Sequence, residues 1–235
     1  MDLSTKDLEI LSRIRKHRLA DLSDGMDAIG LVNTGSMDSN MRPIRSGMTM
    51  AGFAYTVKLI PSQNKVKECN DVKEYMDELG KWCSDSYAFM DLIRKDKCKE
   101  HVIVIDMDGY PGGVWGSEIS LQILKHGMVG AIIDGGCRDS HECNLEGVKV
   151  WCTKRTFNHV YGRLVNGGID IPVQCAGVTV CTGDIICADD DGVLVIPRER
   201  AEEVLKFAEV IHKSDQEARS RHYCDLGIKP DETLL

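Results

Sequence analysis

The densest chemistry in this 235-residue chain lies in Asp134-Gly-Gly-Cys-Arg-Asp, residues 134–139. These residues follow the apolar run Met128 to Ile133, so the pattern predicts a buried strand whose C-terminal end opens into a turn. Ligands of open α/β sheets collect at that end. The two glycines permit positive φ and close backbone approach, and Arg138 offers a planar fork that matches a carboxylate. Asp139 is an oxygen ligand for a hard divalent cation, directly or through water. A carboxylate-bearing substrate beside a metal is the chemistry this combination serves. The plain alternative is a strand-ending turn whose Arg-Asp pair is a solvated ion pair.

A second glycine-rich stretch, Gly109-Tyr-Pro-Gly-Gly-Val-Trp-Gly-Ser-Glu, opens a helix, where unsatisfied backbone N–H groups make an anion site. It matches neither the phosphate loop G-x-x-x-x-G-K-[ST] nor the dinucleotide pattern G-x-G-x-x-G, so nucleotide binding has no support. Other polar residues read more plainly. His141 is a solvated side chain, Asp189-Asp-Asp before Gly192 is turn chemistry, and Cys137 is packing, because no base is placed to activate its thiol. Met26, Met37, Met41, Met48 and Met50 fill the core.

The elements that must position Arg138 and Asp139 follow from periodicity. Leu8, Leu11 and Ile14 predict an amphipathic first helix, and a short second helix begins near Asp21 or Ser23 as cap and stops at Gly30. Met48 to Leu59 reads as a buried strand, and Val66 to Lys97 as one or two helices with Val72, Met76, Leu79, Trp82 and Cys83 on one side. His101 to Asp106 reads as a central strand ending in the 109–113 turn, followed by a helix from Trp115 to His126 and the strand 128–134. That is a β-α-β unit, which is right-handed in nearly all known cases. It brings the helix start at Trp115 and the Arg138 turn to one sheet edge. A second such unit ends in the strand Val148 to Cys152. Ile171 to Pro197 reads as short strands joined by tight turns, and Arg198 to Tyr223 as a final helix.

Composition sets the outer bounds. With 43% hydrophobic and 28% charged residues the chain is globular rather than disordered, and its apolar runs are too short for a membrane span. A net charge of −8 argues against direct nucleic-acid binding. The ten cysteines contain no C-x-x-C pair, and the first residues do not read as a secretory signal. Reduced thiols in a cytosolic protein are the expectation. No repeat or linker divides the chain, so one domain is expected, its core spanning 21–204 with terminal helices packed on it.

The sequence also resembles a known family, that of the regulator of ribonuclease activity A and the class II 4-hydroxy-4-methyl-2-oxoglutarate aldolases. The resemblance runs from Asp21 to about Val204. It is carried by Asp21-Leu-Ser-Asp, Arg42-Pro-Ile, Ala51-Gly-Phe-Ala-Tyr-Thr-Val, Trp115-Gly-Ser-Glu, Gly127 to Asp139, Gly177-Val-Thr-Val and Ala188-Asp-Asp-Asp-Gly-Val-Leu-Val-Ile-Pro. It implies an α/β/β/α sandwich of the swivelling phosphohistidine-domain type, assembled as a homotrimer or a dimer of trimers with sites at subunit interfaces. By resemblance, Gly116, Ser117, Glu118 and Ile119 bind substrate through backbone amides. Arg138 binds substrate oxygens and Asp139 holds Mg²⁺ or Mn²⁺, with Asp190, Asp191 or Glu199 of a neighbouring subunit completing the metal shell.

The implied activity is a metal-dependent lyase that cleaves a C–C bond of a small 2-oxo acid to release pyruvate, by retro-aldol cleavage or oxaloacetate decarboxylation. The alternative is a non-catalytic, protein-binding regulator of an RNA-processing enzyme. Two departures from the family pattern stand out. The segment between Pro61 and His101 is longer and more helical, and Lys97-Cys-Lys-Glu-His replaces the Pro-Gly-Asp that commonly precedes the central strand. The first is expected to reshape the mouth of the pocket.

Overall fold

The computed structural model describes residues 3–94, 98–231 and 233–234. In chain order the elements are α1 (Thr5–Ile14), α2 (Leu19–Ala28), β1 (Arg42–Pro43), β2 (Met50–Pro61), α3 (Val72–Ser86), α4 (Met90–Arg94), β3 (His101–Trp115), α5 (Ser117–Lys125) and β4 (Gly130–Cys137). There follow α6 (Ser140–Glu146), β5 (Val150–Arg155), β6 (Leu164–Ile169), β7 (Val173–Cys175), β8 (Val178–Val180), β9 (Ile185–Ala188), β10 (Val193–Ile196) and α7 (Ala201–Leu226).

Strands β2, β3, β4 and β5 lie side by side and parallel, as the β-α-β reading expects. The sheet order is β1-β5-β4-β3-β2-β9-β10, and β6 also pairs with β2. The twelve-residue β2 pairs antiparallel with β9 over Met50–Phe53 and with β6 over Val57–Pro61. One long strand thus holds neighbours on both halves, and the mixed sheet curls into a nearly closed barrel. The expected two-sheet sandwich describes this shape only approximately. The β7–β8 hairpin is tied to the barrel by buried acids. Asp106, 1% exposed, accepts from Lys58 Nζ (2.7 Å) and Gln174 N (3.2 Å), and Asp134 accepts from Ala176 N (2.9 Å).

One apolar cluster fills the barrel and the space beneath α5, and includes Met41, Val57, Ile103, Trp115, Ile133 and Trp151. A second lies where α1, α2 and α7 cover Phe53, Ile185 and Ile196. The five methionines read as core are all buried, and so are six of the ten cysteines, all of which are free thiols. Among the described residues no helix is long and apolar enough to cross a membrane.

Several local expectations are corrected. The buried face of α1 is Ile10, Leu11 and Ile14, while Leu8 points outward. Asp21 does not cap α2 at its first residue. The helix starts a turn earlier, and Asp21 sits in its first turn, where its carboxylate accepts the Arg18 N–H. The 109–113 stretch does not end the strand. It continues β3 to Trp115 through register shifts against β4, with positive φ at Asp108 and Gly109. Helices α3 and α4 form, but Val72 and Met76 are exposed rather than packed. Residues 66–71 and 87–89 of that expected helical segment are not helical, and 95–97, with Lys97 of the altered motif, lies outside the described residues.

Candidate active site

The end of β4 meets the start of α5 at Arg138 and Asp139. The Arg138 N–H donates to the Trp115 carbonyl (2.9 Å), which pins the β4 exit to the last residue of β3. Gly135 and Gly136 are needed for close approach, and neither adopts positive φ, which corrects that part of the sequence reading. A Cβ on Gly136 would stand 2.5 Å from the Gly112 carbonyl oxygen, and one on Gly135 would stand 2.8 Å from Met107 Sδ. The positive φ falls on Asp139 itself (φ 53°, ψ 36°), in the left-handed region that aspartate visits more readily than most residues. That turn starts α6, and the Asp139 carbonyl accepts the Cys143 N–H (2.9 Å).

Gly116 precedes α5 in extended conformation and gives the two side chains their room. A Cβ there would lie 2.4 Å from Asp139 Oδ2 and 3.3 Å from Arg138 Cγ. The helix start is braced by Ser120 Oγ, which donates to the Gly116 carbonyl (2.9 Å) and accepts from Trp115 Nε1 (3.0 Å). Arg138 Nε lies 3.5 Å from Asp139 Oδ2, and both side chains are 37% exposed. That is a loose, wet pair, leaving lone pairs and guanidinium N–H groups available to a ligand.

A cavity of about 420 Å³ opens over this pair. Gly116, Glu118, Ile119, Arg138 and Asp139 all line it, so the structure brings together five of the six residues assigned by resemblance. Ser117 turns away, and its hydroxyl donates to Glu146. Within this chain Asp190, Asp191 and Glu199 do not line the cavity. Asp190 accepts the Gly47 N–H, and Asp191 N–H donates to Asp189, the turn chemistry expected of that run. His141 is exposed.

The opposite wall comes from the segment expected to reshape the mouth: Cys83, Tyr87 and Met90 face the cavity, with His159 from the loop after β5. Sequence reasoning missed Tyr87 and His159. The Tyr161 N–H donates to His159 Nδ1 (2.9 Å), so the neutral ring carries its proton on Nε2, which lies 3.4 Å from the Tyr87 hydroxyl. That hydroxyl donates to the Val114 carbonyl (3.0 Å). Burial, aided by the Arg138 charge, pushes the His159 pKa down to about 4, and burial raises that of Tyr87. Trp82 packs edge-on against both rings, with centroids 5.4 Å from His159 and 5.5 Å from Tyr87. The only sequence signal was aromatic density in 75–89 and 157–161, with nothing local to say that the two segments meet.

The comparisons with known proteins agree with this architecture. The chain is 27% identical over 224 residues to a protein of Halalkalibacterium halodurans named "Putative 4-hydroxy-4-methyl-2-oxoglutarate aldolase", covering 95% of this chain and 92% of that one. It is 28% identical over 212 residues to protein DlpA of Legionella pneumophila, matching 90% of this chain but spanning only 31% of DlpA's length. Among solved structures, Streptomyces coelicolor RraAS2, described as an unusual member of the RNase ES inhibitor RraA family, superposes with a TM-score of 0.75 at 24% identity, covering 91% of this chain and 98% of that one. That likeness shows the shared fold. Residues 19–195 match the RraA-like family described as Aldolase/RraA, and the chain belongs to that family.

Proposed function

We propose that the chain is a divalent-metal-dependent lyase that cleaves a C–C bond of a small 2-oxo acid to give pyruvate, of the 4-hydroxy-4-methyl-2-oxoglutarate aldolase or oxaloacetate decarboxylase type. The observation that carries this reading is the convergence of Arg138, Asp139 and the glycine-opened start of α5 on one cavity. The name of the H. halodurans relative points the same way.

The residues fit a hard cation. Asp139 presents a half-exposed carboxylate to the cavity, Glu118 lines the same space, and Gly116 leaves free the volume beside Asp139 Oδ2 that a Cβ would fill. A single fixed carboxylate with open positions suits Mg²⁺ or Mn²⁺, which retain waters and accept oxygen ligands from substrate. Held by Asp139, the cation would supply Lewis-acid stabilisation of the enolate that develops as the C–C bond breaks.

The chain's own groups do the rest. Arg138 grips the substrate carboxylate or keto oxygen through its planar fork, and the first N–H groups of α5 face the same anion. Ile119 and the Tyr87–Trp82 wall exclude water from one side. His159, neutral at physiological pH, brings a proton-carrying ring beside Arg138. Subunit interfaces of a trimer or a dimer of trimers would complete the site with an acid from a neighbour, in a cytosolic setting that suits ten free thiols.

The test is product release from a panel of 2-oxo acids that carry a hydroxyl-bearing C4 or a second carboxylate. Wild type releases pyruvate from at least one, Asp139→Ala abolishes it, and Arg138→Lys raises KM more than it lowers kcat, because a point charge replaces a fork. Inactivity across the whole panel would end the lyase reading.

A further inference from the structure

A second hollow, of about 810 Å³, lies away from the candidate active site, between the end of α1, the start of α2, the edge of β2 and β9, and the middle of α7. His17 and His212 both line it. They are 195 positions apart in sequence, yet their rings meet at right angles with centroids 5.1 Å apart. His17 Nδ1 is buried and has no hydrogen-bond partner among the described residues. Leaving a buried donor or acceptor orphaned is costly, so packing alone gives no reason for its placement.

His212 is oriented from behind. Its Nδ1 lies 2.7 Å from Asp21 Oδ2, and because the carboxylate is 1% exposed and accepts only, Nδ1 carries the proton and Nε2 keeps its lone pair. This is the arrangement in which a carboxylate fixes the tautomer of a metal-binding imidazole. One donor atom from each of His17, Asp21 and His212 falls within 4.8 Å of the others. Two guanidiniums line the hollow and each is already engaged, Arg18 by Asp21 (2.6 Å) and Asp215 (2.8 Å) and Arg15 by Glu100 (2.5 Å) and the Ala51 carbonyl (2.8 Å), so neither stands alone against a cation.

We propose that His17 and His212, with Asp21 behind them, form a second metal site, for a transition ion of the Zn²⁺ class, distinct from the hard-cation site at Asp139. Two imidazole nitrogens select Zn²⁺, Ni²⁺ or Co²⁺ over Mg²⁺, which prefers oxygen. Both rings must be neutral to ligate, so binding is expected to weaken as pH falls. The open side of the hollow supplies an entry path and water for the remaining positions. The ion would join the connection between α1 and α2 to the middle of α7 and so tie together the helices that cover one side of the barrel. This inference does not depend on the lyase reading.

The experiment is calorimetric titration of the chelator-stripped full chain with ZnCl₂, and separately with MgCl₂, paired with thermal melts. About one zinc per chain binds to wild type and to Asp139→Ala alike, and raises Tm in both. His17→Gln and His212→Gln each weaken that event at least tenfold, and Asp21→Asn weakens it by about 10- to 100-fold. Circular dichroism of the metal-free variants checks that they remain folded, and the double variant H17Q/H212Q shows no zinc-dependent rise in Tm. A zinc isotherm identical in wild type and the double variant, as the exposed thiols Cys181 and Cys224 would give, overturns the proposal. So does loss of zinc binding in Asp139→Ala.

Discussion

Gly116 and Asp139 fit so closely that a methyl group on the first would stand 2.4 Å from Oδ2 of the second. Gly116 has an extended backbone, so its absent side chain matters for space alone. Gly116→Ala is therefore expected to leave the fold intact and push the Asp139 carboxylate aside. A displacement of about 1 Å at a reacting group costs on the order of 10²-fold in rate. Steady-state kinetics beside a thermal melt should show that loss with little change in Tm. Full activity in the alanine variant would mean that the position of the Asp139 carboxylate does not matter to the reaction.

The buried ion pair at the N-terminus makes a pH prediction. Hydrogen bonds from Arg198 (2.9 and 2.6 Å) hold the Asp7 carboxyl at a pKa of about 2, against 3.8 for the free group. Because the folded pKa is the lower one, the stabilisation is fully present above pH 3.8 and is lost as pH falls towards 2. The shift corresponds to about 2 kcal/mol. Urea unfolding of Asp7→Asn should show a deficit of that size at pH 7, shrinking below pH 4 and vanishing near pH 2.

His159 acts in the same direction for a different reason, since burial disfavours its charged form. Its folded pKa of about 4 lies below the ordinary 6.5, so the unfolded chain takes up the proton first. Stability therefore falls as pH drops from 6.5 towards 4, by up to about 3 kcal/mol through this ring. In His159→Gln this part of the acid sensitivity disappears. Parallel denaturant melts of the two proteins between pH 7 and 4.5 should diverge, with wild type losing more.

Asp106 anchors three donors: Lys58 Nζ, Gln174 N–H and Asp108 N–H, the last at 2.9 Å. Removing it in Asp106→Ala strands the Lys58 ammonium and unties the β7–β8 hairpin. A loss of about 3 kcal/mol is expected from equilibrium unfolding, since breaking one half of a buried pair leaves the other uncompensated. A change below 0.5 kcal/mol would show that the hairpin is held by apolar contacts instead.

The parallel strands and the Arg138–Asp139 corner were legible because both are local. Apolar runs of strand length, a helix between them and a glycine-bearing exit together specify a β-α-β unit and its ligand-binding edge. The 109–113 stretch misleads because Gly and Pro punctuate a chain only by default. Here β4 continues to pair with β3 across three register shifts and keeps it a strand as far as Trp115. Asp21 looks like a helix cap from its neighbours alone, and its partner His212 is 191 positions away. Tyr87 and His159 were illegible for the same reason. Each sits in an ordinary segment, and only closure of the barrel brings α3 against the loop after β5. The resemblance supplied Gly116, Glu118 and Ile119, which line the cavity, and Ser117, whose side chain does not.

In the proposed reaction Arg138 and Asp139 serve a metal-dependent cleavage. The most direct measurement is a lactate dehydrogenase-coupled pyruvate assay on chelator-stripped protein, with oxaloacetate and then 4-hydroxy-4-methyl-2-oxoglutarate, before and after addition of Mg²⁺ or Mn²⁺. Metal should restore turnover well above the metal-only blank in wild type and not in Asp139→Ala. Turnover no higher than the blank with both substrates, or turnover that survives in Asp139→Ala, would contradict the proposed reaction.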